Sequence, residues 1–175
     1  MEHKRLRRDD LSKAKPKVSI KNRGQKSYEK GVGLENRVAK WLKSQFGYKC
    51  IMRDLARGKI SKRPYEVDVH GIKEEVFGVF KTHLWVECKA YRVKRVQITK
   101  LVESAKDVKD LNNQGNGLQK WSPAMLMFVS SEGFDIDAIG MANKYKIYCV
   151  HASKNFNFVG KKNRENFENK DASSF

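Results

Sequence analysis

Pro64-Tyr65-Glu66-Val67-Asp68-Val69-His70-Gly71 and, further along, Leu84-Trp85-Val86-Glu87-Cys88-Lys89 read as two β-strands that carry charge at their centres. Strand alternation predicts that Glu66, Asp68 and His70 share one face and that Val67 and Val69 share the other. Glu87 and Lys89 likewise share a face, with Cys88 opposite. Carboxylates in the middle of a strand suit solvent, an ion pair or a metal, because an unpaired buried charge is costly. Two such strands side by side would bring carboxylates and an ammonium together. An all-oxygen donor set of this kind favours Mg²⁺, with Mn²⁺ as a substitute, and the reaction it suits is hydrolysis of a phosphodiester.

Around these strands the hydrophobic periods alternate. Leu34, Val38, Trp41, Leu42 and Phe46 recur at helical spacing and Gly47 supplies a stop, which predicts a helix over 33–46. Tyr48 to Met52 reads as a first strand, and Arg53 to Pro64 as a basic loop. The second strand follows through Val69, the third runs from Leu84 to Tyr91, and 76–80 reads as a turn or an extra strand. Ile98, Leu101, Val102, Ala105, Val108 and Leu111 trace another helix, ended by an Asn/Gly-rich linker at 112–117. Ala124 to Val129 reads as a buried strand, Asp135 to Lys144 as a short helix and Lys146 to Val150 as a last strand. The expected order is α-β-β-β-α-β-α-β.

Charge points to the partner. The chain has 37 Lys and Arg against 20 Asp and Glu, a formal +17, which favours a polyanion and places nucleic acid ahead of an anionic membrane. No apolar run approaches the roughly 20 residues that span a bilayer, so no membrane partner is expected and the location expected is cytoplasmic. Residues 1–30 hold eleven Lys/Arg against four Asp/Glu and few apolar residues; they read as a flexible basic arm. The polar stretch 153–175 reads as a tail, leaving 31–152 as the folded domain. Cys50, Cys88 and Cys149 form no Cys-x-x-Cys pair and read as buried thiols, and the four histidines form no zinc pattern.

The segment 64–71, followed by Glu87-Cys88-Lys89 with Glu87 19 residues after Asp68, resembles the PD-(D/E)XK nuclease signature. More narrowly it is similar to the Mrr-like restriction endonuclease and Holliday-junction-resolvase-like branch. Glu35, within Gly33-Leu34-Glu35-Asn36-Arg37-Val38-Ala39, matches the acidic residue that in this family completes the site from the first helix. Ala124-Met125-Leu126-Met127-Phe128-Val129-Ser130-Ser131 resembles the family's later α/β half. The resemblance covers about residues 31–152 and implies a restriction-endonuclease-like α/β fold, a central mixed β-sheet flanked by helices. It also implies a Mg²⁺-dependent endodeoxyribonuclease with catalytic Asp68, Glu87, Lys89 and Glu35, of which Asp68 and Glu87 hold the metal.

Each element also has a plainer reading. Glu87 and Lys89 make a surface ion pair on a strand, worth only tenths of a kcal/mol. Glu35 interacts with a helix dipole, and His70 is solvated or structural. Trp41, Trp85 and Trp121 read as packing residues. Arg53, Arg57, Lys59, Lys62 and Arg63 in the basic loop, with Lys94, Arg95 and Lys100 near the second helix start, are the expected DNA-backbone contacts. The alternatives are a structure-specific junction resolvase of the same fold and a nucleic-acid-binding protein without turnover. With no sequence-reading module apparent, specificity would come from a homodimer, a partner protein or the shape of the DNA.

Overall fold

The structure, a computed structural model, describes residues 20–75, 80–112, 121–162 and 164–168. Helix α1 (Ile20–Phe46) is followed by three antiparallel strands, β1 (Lys49–Ala56), β2 (Tyr65–Glu75) and β3 (Phe80–Lys89). Helix α2 (Arg95–Asn112), strand β4 (Met125–Ser130), helix α3 (Ile136–Lys144) and strand β5 (Tyr148–Ala152) continue the chain, and β6 (Phe156–Val159) and α4 (Arg164–Glu168) close it. The six strands form one mixed sheet in the order β1-β2-β3-β4-β5-β6, with β3, β4 and β5 parallel to one another. This is the α/β architecture expected, a central mixed sheet with helices on both sides.

The connections explain the layering. The β3-α2-β4 and β4-α3-β5 crossovers step the same way across the sheet, and right-handed crossovers then deliver both helices to one face. There Ile98, Leu101, Val102, Ala105 and Val108 of α2 and Ala138 and Ala142 of α3 pack against Val67, Trp85, Leu126, Phe128 and Cys149. On the other face Leu34, Val38, Leu42 and Phe46 of α1 cover Val69, Leu84, Val86, Met127, Val129 and Val150. Covered on both sides, β4 is buried at every residue, which is why its sequence is a continuous apolar run.

Several boundaries differ from expectation. Helix α1 begins at Ile20, so residues 20–30 of the anticipated flexible arm are helical; residues 1–19 lie outside the described residues. Strand β1 runs on to Ala56, which places Arg53 in the sheet and not in the loop. Strand β3 ends at Lys89, short of Tyr91. Of the expected turn or extra strand at 76–80 only Phe80 is among the described residues, where it opens β3, and of the expected linker at 112–117 only Asn112, where it ends α2.

The largest correction concerns the polar tail. Strand β6 pairs with β5 from Cys149↔Val159 to Ala152↔Phe156. Phe167 of α4 is 2% exposed and meets the rings of Phe46, Tyr148 and Phe158 at centroid distances of 4.8, 5.0 and 5.7 Å. Trp41 stacks on Phe156 at 4.5 Å. The apolar residues in this segment are few, but most are aromatic, and a large ring such as those of Phe156, Phe158 and Phe167 carries much packing area per residue. Phe167→Ala should therefore cost roughly 3–5 kcal/mol in urea unfolding; a loss under about 1 kcal/mol would show that α4 is no part of the core.

Candidate active site

The charged strands meet at an irregularity. Ladder pairing of β2 with β3 extends from Glu75↔Phe80 to Val69↔Val86 and stops there. Beyond that row β3 pairs only with β4, through Glu87↔Phe128 and Lys89↔Ser130, while residues 65–67 of β2 pair with β1. Asp68 therefore stands where β2 parts from β3, with Glu87 in the corresponding place across the gap. On its other side the β1–β2 register is continuous but skips the row of Arg53 and Asp68, and Arg53 has φ 51°.

This row also breaks the expected alternation. Val67 packs with α2 and α3, whereas Val69 packs with α1. Strand β1 does the same, with Met52 packed toward α1 and Ala56 buried on the α2 side. A one-residue slip in a strand exchanges its faces; here both strands slip in the same row, so the register survives. Glu66, Asp68 and His70 consequently do not form one uniform face.

At the parting, Asp68 accepts the Cys88 N–H at 2.7 Å and lies 4.0 Å from Lys89 Nζ, which donates to Glu87 at 2.6 Å. Burial, and after it the charge of Glu87, push the Asp68 carboxyl up to about 7, while the Cys88 N–H and Lys89 pull it down and Glu35 adds a smaller push upward. Burial works against charge on Lys89, but Glu87 and Asp68 outweigh it and hold the ammonium above its usual range. Glu35 is 8% exposed on α1 and is tied to Arg53 at 3.2 Å, with Arg53 also donating to the Tyr28 hydroxyl at 3.0 Å.

A cleft of about 360 Å³ opens beside this group, lined among others by Glu66, Glu87, Lys89, Tyr91, Gln97 and Lys100. Lys100, an expected DNA-backbone contact, thus lies at the cleft. Tyr91, Gln97 and Ser104 also line the cleft and were not singled out from sequence; only the helical spacing of 97, 100 and 104 would have pointed to them. Lys94 precedes α2, where its N–H donates to Gln97 Oε1 at 3.0 Å, and Arg95 lies beside the start of α3. Among the described residues no three His, Cys, Asp or Glu side chains gather as a metal cage; Asp68 and Glu87 are the carboxylates at the cleft's strand junction.

The basic loop carrying Arg57, Lys59, Lys62 and Arg63 is anchored by one side chain. Asp107 of α2 accepts the N–H groups of Ile60 at 2.7 Å and Ser61 at 3.1 Å and the Tyr65 hydroxyl at 2.9 Å, and its carbonyl accepts Lys59 N–H. Burial would raise this carboxyl, yet the bonds from Ile60, Tyr65, Ser61 and Lys59 together hold it below its ordinary value. A Cβ at Gly58 would collide with that carboxylate, so only glycine lets the loop approach.

His70 is 1% exposed and structural in setting: its Nδ1 meets Asp54 at 2.6 Å and its ring stacks on Trp121 at 3.8 Å. Cys88 and Cys149 are buried and Cys50 is half-buried. Trp85 and Trp121 are core residues, as expected.

No family model and no curated protein matches the chain. Among solved structures, the crystal structure of a protein of unknown function, AF1548, is similar at 16% identity with a TM-score of 0.50. That likeness covers 67% of this chain and 56% of the other, so it spans little more than half of that protein and bears on the fold alone. Among the described residues no helix is long and apolar enough to cross a membrane.

Two outcomes test this geometry. With the Asp68 carboxyl raised from 3.8 to about 7, the folded state binds more protons than the unfolded state between those values, so its contribution to stability falls as pH rises through that window. In EDTA, Asp68→Asn, which keeps an acceptor for Cys88, should stabilise the protein at pH 8 on the order of 2 kcal/mol, with the gain vanishing near pH 4. Equal melting shifts at both pH values would contradict the crowding of carboxylates. Asp107→Ala should speed tryptic cleavage within 57–63 by about tenfold or more, since the loop loses its charged acceptor; an unchanged rate would mean the loop is held by other contacts.

Proposed function

We propose that this chain is a divalent-metal-dependent endonuclease that hydrolyses DNA phosphodiester bonds, with Asp68, Glu87 and Lys89 as its reactive group and Glu35 as an auxiliary acid. The observation that carries this reading is the parting of β2 and β3: one carboxylate from each strand and a half-buried ammonium collect there beside a cleft. The resemblance of these residues to the PD-(D/E)XK signature supports the same reading.

The donor set fits Mg²⁺, with Mn²⁺ able to substitute. One or two carboxylates plus water and substrate phosphate are its usual shell, so no three-carboxylate cage is required. The Asp68 carboxyl is raised first by burial and then by the charge of Glu87, and a cation held by Asp68 and Glu87 would offset both. When bound, the ion would supply Lewis acidity toward the scissile phosphate. Lys89, kept as an ammonium by its two acidic neighbours, donates hydrogen bonds and does not take up a proton. It orients the attacking water or steadies a phosphate oxygen as negative charge builds. In the reaction the water oxygen bonds to phosphorus, one ester P–O bond breaks, and the departing oxygen is protonated from solvent.

The anchored loop with Arg57, Lys59, Lys62 and Arg63, together with Lys100 in the cleft, supplies charge for the DNA backbone, and Arg53, Lys94 and Arg95 extend it. Such contacts give affinity without sequence information, so target choice falls to a homodimer, a partner protein or DNA shape. The broad positive charge suits a branched, charge-dense junction, which makes a junction resolvase the second reading. A DNA substrate makes the cytoplasm the place of action.

The test incubates wild type and Lys89→Ala with Mg²⁺ or Mn²⁺ and linear duplex, single-stranded, flapped and four-way-junction DNA, plus RNA. Cleavage by wild type should fall at least about a hundredfold in the variant, while binding in EDTA persists. The reading fails if wild type cuts none of these, or if Lys89→Ala cuts as well as wild type.

A further inference from the structure

A second cavity, larger than the cleft at about 740 Å³, lies against β1, β2 and β3. It contains a hydrogen-bonded chain that the proposed reaction does not use. Asp54 Oδ2 meets His70 Nδ1 at 2.6 Å, and His70 Nε2 meets His83 Nδ1 at 2.9 Å. Trp121 stacks against both rings, at centroid distances of 3.8 Å for His70 and 5.8 Å for His83. Two aromatic rings, His70 and Trp121, with the Asp54 carboxylate behind His70, thus hold the His83 imidazole at the cavity wall. With Nδ1 turned to His70, the remaining nitrogen of His83, Nε2, points away from it and has no hydrogen bond among the described residues.

The walls are of two kinds. Met52 and Ile72 are apolar, while Arg57 and Lys81 bring positive charge, Lys81 as one half of an exposed ion pair with Glu74 at 3.6 Å, and Asp54, the cavity's carboxylate, is already engaged by His70. A flat ring with hydrogen-bonding edges and an attached anion matches this arrangement. His70 is buried with both ring nitrogens engaged, whereas His83 is half-buried and keeps Nε2 for a ligand atom.

We propose that this cavity is a nucleotide-binding subsite: a base lies against Met52, Ile72 and His83 with its edge on His83 Nε2, and its phosphate is met by Arg57 and Lys81. The proposal deepens the nuclease reading and rests on it for the source of the nucleotide, a strand of the substrate unstacked beside the active site. Arg53 links the two places, since it lines this cavity and is bonded to Glu35.

The experiment measures binding by the full chain in EDTA, where nothing is cut. The probes are a 12-nucleotide single strand carrying 2-aminopurine, the matching blunt duplex, and a mononucleotide. Wild type should bind the single strand with a rise in 2-aminopurine emission, and His83→Ala should weaken that binding about fivefold or more, as loss of one base contact does. Lys81→Glu, at an exposed position, should weaken it similarly and carries the test if His83→Ala fails to fold. Mononucleotide binding that is equally sensitive to His83 would assign the site to free nucleotides; strand-only binding assigns it to substrate. Single-strand binding unchanged in both variants overturns the proposal. Set beside the cleavage panel, this assay separates the two readings: if wild type never cuts but His83 still governs binding, the nuclease reading fails and the subsite stands.

Discussion

The hydrogen bond from the Cys88 N–H to Asp68 is the joint on which the site depends. It bridges β2 and β3 where their regular ladder has ended, so the two strands separate without losing their mutual position. A carboxylate doing backbone work in this way is held still, and a group held still can be set close to another of like charge. Without that bond the repulsion between Asp68 and Glu87 would open the junction further. Lys89 complements it from the same strand, answering both acids at once.

Much of this was legible in the sequence. Period-2 alternation and continuous apolar runs located β2, β3 and β4, and the 3.6-residue period located the helices between them, because in those elements one side chain after another is committed to a face. Strand geometry grouped Glu66, Asp68, Glu87 and Lys89, the resemblance singled out Asp68, Glu87 and Lys89 from them, and the structure does bring those three together. Glu35 was named through resemblance, and it lies where its charge reaches Asp68.

What stayed hidden depends on long-range contacts. Val67 and Val69 alternate perfectly with acidic neighbours, so nothing local reveals that they face opposite sides; the slip exists because β1 slips with β2 in the same row. The C-terminal segment looked too polar to fold, since composition averages conceal three aromatic residues that meet α1 and β5 from far away in the chain. Asp107 is another case. On a helical wheel it is an ordinary acid, and only the return of the β1–β2 loop gives it four hydrogen bonds to accept, three at the carboxylate and one at the backbone carbonyl. His70 and His83 are separated by 13 residues, and their pairing comes from the β2–β3 register, which places them two rows apart, on one face.

The left-handed backbone at Arg53 has a consequence of another kind. Strand β1 is the outer strand of the sheet and exposes Ile51 and Leu55. A straight outer strand with such side chains would be a template for adding strands from other molecules, the first step toward aggregation. The left-handed residue Arg53 interrupts the regular strand between those two residues, while its guanidinium is held by Glu35 and Tyr28 of α1. The distortion that shapes the charged junction from within thus also blunts the sheet's open border and helps keep a chain rich in β-structure from polymerising.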